Sequence, residues 1–333
     1  MSTELWLRFD IRGAGLAVSS SALCAAAIEQ ASWAERSGFD AILFSEHHGS
    51  EDGYCPSPMI LAAAIAARTK TIRLHLGALV VPLSHPLRLA EDVCVLDNIS
   101  NGRVDVTVGV GYVPSEFTMF GVDMKQRAEL MDEGIAAFRG AFSGEPFTYR
   151  GRRVRVSPAP VQPGGPKLYV AGAVKASALR AARLADGFFP TVPTPELLDL
   201  YRGECERLGK RPFVIDMSGP VAIHVSRDPE RDWARIGRHM LHELNMYSRW
   251  ARESGAYTPF GHDVTDLQTL QATGIYRIVT PEDCVALFER ERDAGHHIMF
   301  NPLCGGLHPE IAWESLELMA SEVLPRFKHR ARS

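Results

Sequence analysis

The chain has 333 residues, of which 46% are hydrophobic and 23% charged, and its formal net charge is -4 at pH 7. This balance is typical of a globular protein with a large core, and it excludes intrinsic disorder and the strongly basic surface of a nucleic-acid-binding protein. No apolar run approaches the roughly 20 residues of a membrane span and no signal peptide is evident, so we expect a cytoplasmic protein. The six cysteines form no C-x-x-C pair, which argues against a zinc site or a disulfide framework.

Short strand-like runs alternate with longer helical runs along the whole chain. This order predicts a parallel sheet, and eight strands at this length predict one (β/α)8 TIM-barrel domain over residues 1–333. The predicted strands cover residues 5–10, 41–45, 72–80, 104–110, 168–171, 187–189, 216–224 and 297–300. The predicted helices cover residues 21–37, 58–68, 87–99, 127–142, 175–184, 195–208, 229–250, 281–294 and 309–327.

Two helix starts carry clear N-terminal signals, since Thr194 and Thr280 are each followed by proline and an acidic residue. Two connections are longer than an ideal barrel needs, and we predict insertions at about 143–167 and 251–280. The second follows the seventh strand and its helix, and its glycine content suits a mobile lid. A plain surface excursion explains the same composition equally well.

Glu46, His47 and His48 directly follow the second predicted strand. The carboxyl ends of barrel strands carry the active site, and histidine titrates close enough to neutral pH for proton transfer. A histidine that is simply hydrogen-bonded within a loop fits this position as well. No metal site is predicted, because neighbouring side chains of an extended segment point to opposite sides.

Small residues mark two further strand ends. Ala78 and Leu79 lie in the third strand, and Gly109 is part of a G-x-G at the end of the fourth. Small side chains allow a flat ring to approach the backbone, although ordinary barrel packing uses them too. The G-x-G lacks the third glycine and the later acidic residue of a dinucleotide site, so no nicotinamide fingerprint is present.

The turn after the fifth strand leads into a helix and offers a phosphate site. Free N–H groups and the helix dipole at such a start attract anions, and Lys175 and Ser177 would add donors. The turn comprises Gly172, Ala173, Val174, Lys175, Ala176 and Ser177. Arg127, near the start of another helix, suits a phosphate through its planar guanidinium, although an unpaired surface arginine is the default reading.

Taken in order, these motifs resemble those of the bacterial-luciferase-like flavin-dependent monooxygenases, from about Leu5 to Phe327. The matching motifs are Phe39-Asp40, Glu46-His47-His48, His85-Pro86 with Glu91-Asp92, Gly102-Arg103, and Phe120-Gly121 with Arg127. The resemblance implies that His47 is the active-site imidazole, that Arg127 and residues 172–177 hold the FMN phosphate, and that a non-prolyl cis peptide lies within residues 77–80. Luciferase has a reactive cysteine and an arginine where this chain has Gly109 and Val110, so light emission is not implied.

The activity implied by the resemblance is oxygenation of a small organic substrate. Reduced FMN would react with dioxygen to form a flavin peroxide at carbon 4a, His47 would stabilise it or balance its proton, and residues 251–280 would exclude water. A separate reductase is expected to supply the reduced flavin. The side chains considered for substrate or lid contacts are Glu46, Asn245, Tyr247 and Trp250.

The alanine-rich helix over residues 58–68 matches the region through which the family tends to dimerise, so we expect a homodimer; burial against the barrel explains the same composition.

Two other functions remain as alternatives to an FMN-dependent monooxygenase. A deazaflavin coenzyme in place of FMN would make the protein a hydride-transferring oxidoreductase, and a non-catalytic flavin-binding protein could use the same scaffold. The Glu46-His47-His48 motif favours the oxygen-using enzyme.

Overall fold

The computed structural model describes residues 3–13, 18–255 and 264–330, without the side chains of 328–330. In chain order the strands are β1 Leu5–Phe9, β2 Ala41–Phe44, β3 Arg73–Val80, β4 Val104–Gly109, β5 Phe147–Tyr149, β6 Arg152–Val154, β7 Lys167–Gly172, β8 Gly187–Pro190, β9 Ala222–Val225, β10 Tyr276–Val279 and β11 Ile298–Phe300. One seven-stranded sheet has the order β11-β1-β2-β3-β4-β7-β8, and all its pairings are parallel. The prediction of an α/β fold with a parallel sheet is confirmed.

Helices are found at all nine predicted positions. The helices are α1 Ser20–Ser37, α2 Pro58–Ala66, α3 Pro86–Ser100, α4 Pro114–Phe120, α5 Arg127–Phe142, α6 Lys175–Leu184, α7 Pro195–Arg207, α8 Pro229–Ser254, α9 Leu267–Thr273, α10 Pro281–Ala294, α11 Pro309–Leu318 and α12 Leu324–Arg330. The predicted run 309–327 is divided into α11 and α12, whereas α4 and α9 were not predicted. Thr194 and Thr280 cap α7 and α10, accepting hydrogen bonds from the N–H groups of Leu197 and Asp283. Within the described residues, no helix has the length and apolar character that crossing a membrane requires.

The sheet curls, and one short segment bonds to both of its edge strands. The carbonyl of Phe213 accepts a hydrogen bond from the N–H of Phe188 in β8 at 2.9 Å. At the other edge, the N–H of His297, beside β11, donates to the carbonyl of Asp216 at 2.9 Å. Both edges of the sheet are therefore linked through the segment 213–216.

The strand predicted over residues 216–224 is wrong. Only residues 222–225 form a strand there, and this strand, β9, pairs in parallel with β10 instead of joining the main sheet. The reason is local, because Gly219 and Pro220 interrupt the predicted run and proline cannot donate to a strand ladder.

The segment 251–280, predicted as a lid, contains regular structure. Residues 256–263 lie outside the described residues. Beyond them come α9 and β10, whose Leu270 and Tyr276 are fully buried in a small hydrophobic core. That part of the segment belongs to the body of the fold. The other predicted insertion, 143–167, carries the antiparallel hairpin of β5 and β6.

The alternation of side chains along β1 explains how charged residues reach the interior. Leu5, Leu7 and Phe9 pack in the core between sheet and helices, whereas Trp6 packs with residues of the other strands inside the curl. Because side chains alternate along a strand, Arg8 shares the inward face with Trp6. The alternation therefore places the cation of Arg8 on the face inside the curl, near the carboxyl end of β1.

Candidate functional site

His47 follows β2, and its imidazole is enclosed by other side chains. Its Nδ1 lies 2.8 Å from Oε1 of Glu116. The ring stacks on Trp250 with centroids 4.2 Å apart and planes inclined by 27°, and the ring of Tyr54 meets it edge-on at 4.8 Å. Within the described part of the chain, Nε2 has no hydrogen-bond partner. It is therefore the atom through which His47 can exchange a proton with a bound molecule.

Glu116, the anchor of His47, is absent from the sequence-based predictions because α4 is not predicted. Its side chain is buried, and Oε1 also accepts a hydrogen bond from the N–H of His48 at 2.9 Å. Its Oε2 is buried with no partner among the described residues. A carboxylate at Nδ1 fixes the orientation of an imidazole. The available signal was Pro114 with an acidic residue, Glu116 itself, two positions later, which is typical of a helix start.

Glu46 connects the ends of two strands and lies close to the predicted catalytic residue. Its Oε1 lies 2.8 Å from Nε2 of His48, and its Oε2 accepts a weaker hydrogen bond from the N–H of Val80 at 3.4 Å. Burial lowers the pKa of His48, but the hydrogen bond and charge of Glu46 outweigh it and raise this pKa above its ordinary value. Glu46 thus holds the loop after β2 against the end of β3.

The helix α8 brings two of its three predicted residues to His47. Tyr247 meets the imidazole at 5.9 Å between centroids, and Trp250 forms the stack described above. Asn245 is exposed and does not join them, because a residue two positions before Tyr247 lies about 200° away around the helix. Its role as a substrate or lid residue stays a prediction.

A surface of small residues lies at the ends of β3 and β4. The peptide bond between Gly77 and Ala78 is cis, within the range implied by the resemblance. A Cβ atom added to Gly109 would lie 3.3 Å from the Cβ of Ala78, so glycine keeps this surface flat. The side chain of Leu79 is buried in the core, so only its backbone can face a ligand.

The turn between β7 and α6 has the geometry of an anion site, with one correction. The hydroxyl of Ser177 donates to the carbonyl of Val174 at 2.6 Å and accepts from its N–H at 3.2 Å, so it is occupied as a helix cap and is not the free donor predicted. The N–H groups of Lys175 and Ala176 have no intrahelical acceptor, because they open the helix. Lys175 is exposed beside them.

Arg127 begins α5 at the same end of the fold as Lys175. Asp132 in α5 and Arg180 in α6 form an ion pair at 2.5 Å, and each lies in the second turn of its helix. The two helix starts therefore lie side by side. The Arg127 guanidinium is half-buried and donates to the carbonyl of Gly111 at 3.4 Å, leaving further N–H groups for a ligand.

Beneath the aromatic residues lies a group of buried charges, which we call the Arg8 cluster. It consists of Arg8, Asp10, Arg12, Asp52 and Glu243. Arg8 Nη1 lies 3.2 Å from Glu243, and Arg12 bridges Asp10 and Asp52, each at 3.3 Å. Burial raises the pKa of Glu243, but the positive charges of Arg8 and Arg12 outweigh it and lower this pKa. The opposite balance holds at Asp10, where burial raises the pKa to about 6 despite both arginines.

Asp52 makes the stability of this cluster depend on pH. Burial raises its pKa, but the hydrogen bond from His242 at 2.9 Å and the charge of Arg12 outweigh it and lower the pKa to about 2, from an ordinary value of 3.8. The carboxylate therefore stabilises the fold above about pH 3.8, and this contribution is lost as the pH falls towards 2.

We expect Asp52→Asn to destabilise the protein by about 2 kcal/mol at pH 7, since the buried Arg12 keeps its charge and loses one carboxylate. The difference from the unmodified protein should shrink between pH 4 and pH 2, as measured by urea unfolding. Asp199→Asn, which alters an exposed carboxylate paired with Arg202, serves as control. An equal loss at pH 2 and pH 7 would contradict the assignment.

Comparison with known proteins identifies the family. The model of the luciferase-like monooxygenase family matches residues 6–297. The chain belongs to this family. The prediction that the protein is an enzyme of the luciferase-like monooxygenase type is thereby confirmed.

Relatives of this luciferase-like monooxygenase align along most of its length. The 4-hydroxyprotoasukamycin monooxygenase of Streptomyces nodosus is 29% identical over 324 residues, 90% of this chain and 86% of the relative. The alkanal monooxygenase alpha chain of Photorhabdus luminescens is 25% identical over 329 residues, 90% and 91% of the two chains. The oxygenase component of the flavin-dependent trigonelline monooxygenase of Acinetobacter baylyi is 31% identical over 151 residues, less than half of each chain, at 43% and 42%.

Solved structures agree with this placement. A monooxygenase from Streptomyces bottropensis superposes with a TM-score of 0.77 at 27% identity, covering 97% of this chain and 99% of its own. A type II Baeyer-Villiger monooxygenase component from Pseudomonas putida, in complex with FMN, has a TM-score of 0.70 at 20% identity, with coverage of 98% and 99%. A coenzyme F420-dependent secondary alcohol dehydrogenase has a TM-score of 0.66 at 18% identity, with coverage of 93% and 98%. At these identities, the last two structures show only that their fold is the same as that of this chain.

Proposed function

We propose that this luciferase-like monooxygenase is an oxygenase component that binds FMN reduced by a separate reductase and uses dioxygen to oxygenate a small organic substrate. The observation that carries the proposal is the setting of His47. Its Nδ1 is anchored by Glu116, Nε2 has no hydrogen-bond partner among the described residues, and the neighbouring Glu46 accepts a hydrogen bond from the N–H of Val80 at the end of β3. The fold is part of the proposal, since the segment 213–216, which bonds to β8 and to His297 beside β11, would take the place of the seventh strand of a (β/α)8 barrel.

The residues at the carboxyl ends of β3, β4 and β7 fit FMN. The surface of Ala78 and Gly109 admits a flat ring, and the start of α6 beside Arg127 suits a phosphate. Bound reduced FMN supplies the electrons that activate dioxygen. The protein's own contribution is then to hold the ring, to present Nε2 of His47 for a proton, and to exclude water with Tyr54 and Trp250.

We expect Lys175→Ala to weaken FMN binding by about tenfold while leaving riboflavin binding unchanged, because only FMN carries the phosphate. Quenching of flavin fluorescence measures both affinities. Lys167→Ala is the matched control, because Lys167 is also exposed but begins β7 at the opposite end of the strand. Equal losses of FMN and riboflavin affinity would place the phosphate elsewhere.

The activity is tested by mixing the enzyme with photoreduced FMN and then with air, in the presence of a panel of aldehydes, ketones and aromatic compounds. An oxygenated product, containing an atom from ¹⁸O-labelled dioxygen, is the expected result. In a parallel experiment the reduced deazaflavin coenzyme replaces FMN. Hydride transfer from the deazaflavin, with no oxygenated product from FMN, would overturn the proposal.

We also propose that the protein forms a homodimer through α2 and the adjacent α3. Ile60 is 74% exposed on α2, and Val95 and Ile99 on α3 are 41% and 50% exposed. The helices α2 and α3 pack against each other, and exposed apolar residues on neighbouring helices are typical of a protein interface.

Ile60→Glu is expected to convert the dimer into a monomer, because a carboxylate would be desolvated at the interface. Sedimentation velocity at micromolar and nanomolar concentrations measures the change. Leu208→Glu, which changes an apolar residue that is 38% exposed at the end of α7, should leave the dimer intact. A monomeric unmodified protein at every concentration would exclude this interface.

A further inference from the structure

Arg8 connects separate parts of the chain at the carboxyl end of the sheet. Its Nε donates to the hydroxyl of Ser45, directly before Glu46 and His47, at 3.2 Å. Its Nη2 donates to the hydroxyl of Tyr247 at 2.5 Å and lies 3.3 Å from that of Tyr54. These two hydroxyls are themselves 2.8 Å apart. One guanidinium thus joins β1 to the end of β2, to the loop after His47 and to α8.

The two tyrosines held by Arg8 belong to an aromatic cage around His47, formed by Tyr54, Tyr112, Tyr247 and Trp250. Tyr54 and Tyr247 also pack against Trp250, with centroids 6.0 Å and 5.5 Å apart. Contacts between aromatic rings are weakly directional, so they allow a ring to slide by fractions of an ångström. Hydrogen bonds from a fixed cation to both hydroxyls remove that freedom.

The Arg8 guanidinium is also held by the buried carboxylate of Glu243. Its Nη1 lies 3.2 Å from Oε1 of Glu243, whose other oxygen accepts hydrogen bonds from Asn301 at 3.0 Å and from the thiol of Cys304 at 3.2 Å. Arg8 is only 4% exposed. A planar fork with several N–H donors can serve Ser45, Glu243 and the tyrosines together, whereas the single ammonium of lysine cannot match this geometry.

We propose that Arg8 is a positioning residue of the reaction, in which it touches neither flavin nor substrate. Through Ser45 and the hydroxyls of Tyr54 and Tyr247 it fixes the aromatic cage, and the cage sets the direction of Nε2 of His47. The effect of Arg8 on catalysis rests on the proposed function, whereas the orientation of His47 by Arg8 concerns the protein without flavin.

The test removes the hydroxyls and keeps the rings, with Tyr54→Phe, Tyr247→Phe and the double variant. The ring protons of His47 lie against Trp250, whose ring current displaces their NMR signals from those of free histidine. In protein labelled with ¹³C-histidine, and with His47→Gln used for assignment, these signals are expected to move towards free-histidine values in the Phe variants. Arg8→Lys should cause the same displacement.

A matched control separates positioning from general destabilisation. Tyr201→Phe removes another buried hydroxyl, bonded to the carbonyl of Phe213 outside the cage, and should leave the His47 signals in place. With a compound that the substrate panel shows to be oxygenated, kcat should fall about tenfold in the double variant, with KM changed less than about twofold.

Unchanged His47 signals in both single Phe variants and in the double variant would overturn the inference, and this result does not depend on whether Arg8→Lys folds. Displaced signals with an unchanged kcat would also overturn the positioning role. If the unmodified enzyme oxygenates no compound of the panel, the proposed function fails, while the NMR comparison still decides whether Arg8 orients His47.

Discussion

Replacing His47 by alanine is expected to lower the rate of substrate oxygenation by about a hundredfold or more, because we propose the imidazole as the group that exchanges a proton at the site. FMN affinity should change little, since the residues that suit the phosphate lie at the starts of α5 and α6. Product formation with photoreduced FMN gives the rate, and quenching of flavin fluorescence gives the affinity.

His85→Ala provides the matched control for His47→Ala. His85 is an exposed histidine in the turn before α3 and has no side-chain capping bond, so its loss should leave oxygenation unchanged. Retention of oxygenation in His47→Ala would exclude His47 from the chemistry. A joint loss of activity and FMN binding would indicate instead that the imidazole supports the flavin site.

Glu243→Ala is expected to cost about 3–5 kcal/mol of unfolding free energy, the usual effect of removing one partner from a buried ion pair. The glutamate is fully buried, and its loss leaves Arg8 with one carboxylate fewer and Asn301 and Cys304 without their acceptor. Urea unfolding monitored by circular dichroism measures the change.

The corresponding control is Glu314→Ala, which also removes a glutamate paired with arginine. Glu314 pairs with Arg235 at the surface, with 48% of its side chain exposed, so the loss should be below about 1 kcal/mol. Similar losses in the two variants would show that the Arg8 cluster contributes no more than a surface ion pair.

The predicted helices were located accurately because their boundaries have local causes, whereas the short helices α4 and α9 were missed. Thr194 and Thr280 cap α7 and α10 whatever the rest of the fold does, and the apolar period of each helix spans several turns. Strands depend on partners that lie far away in sequence. The run over 216–224 is apolar enough to suggest a strand, but Pro220 interrupts it, because proline cannot donate to a strand ladder. Tertiary packing then determines that β9 pairs with β10.

The site was predictable only in part, for a similar reason. His47 stands in a motif of adjacent residues, whereas Glu116 reaches it from a short helix 69 positions further along the chain. The Arg8 cluster is still less visible, because charges on a strand normally indicate a solvent-facing side. Their burial depends on Glu243, which lies 235 positions from Arg8, and a single sequence does not reveal that pairing.

One face of α8 contributes three functional side chains to the site. Glu243, Tyr247 and Trp250 follow one another at spacings of four and three residues, so they form a single stripe along the helix. The counter-charge of Arg8, a hydroxyl of the aromatic cage and the stacking partner of His47 therefore share one rigid support. A shift of α8 by even a fraction of a turn would displace all three together, so the position of this one helix couples the counter-charge, the hydroxyl and the stacking partner.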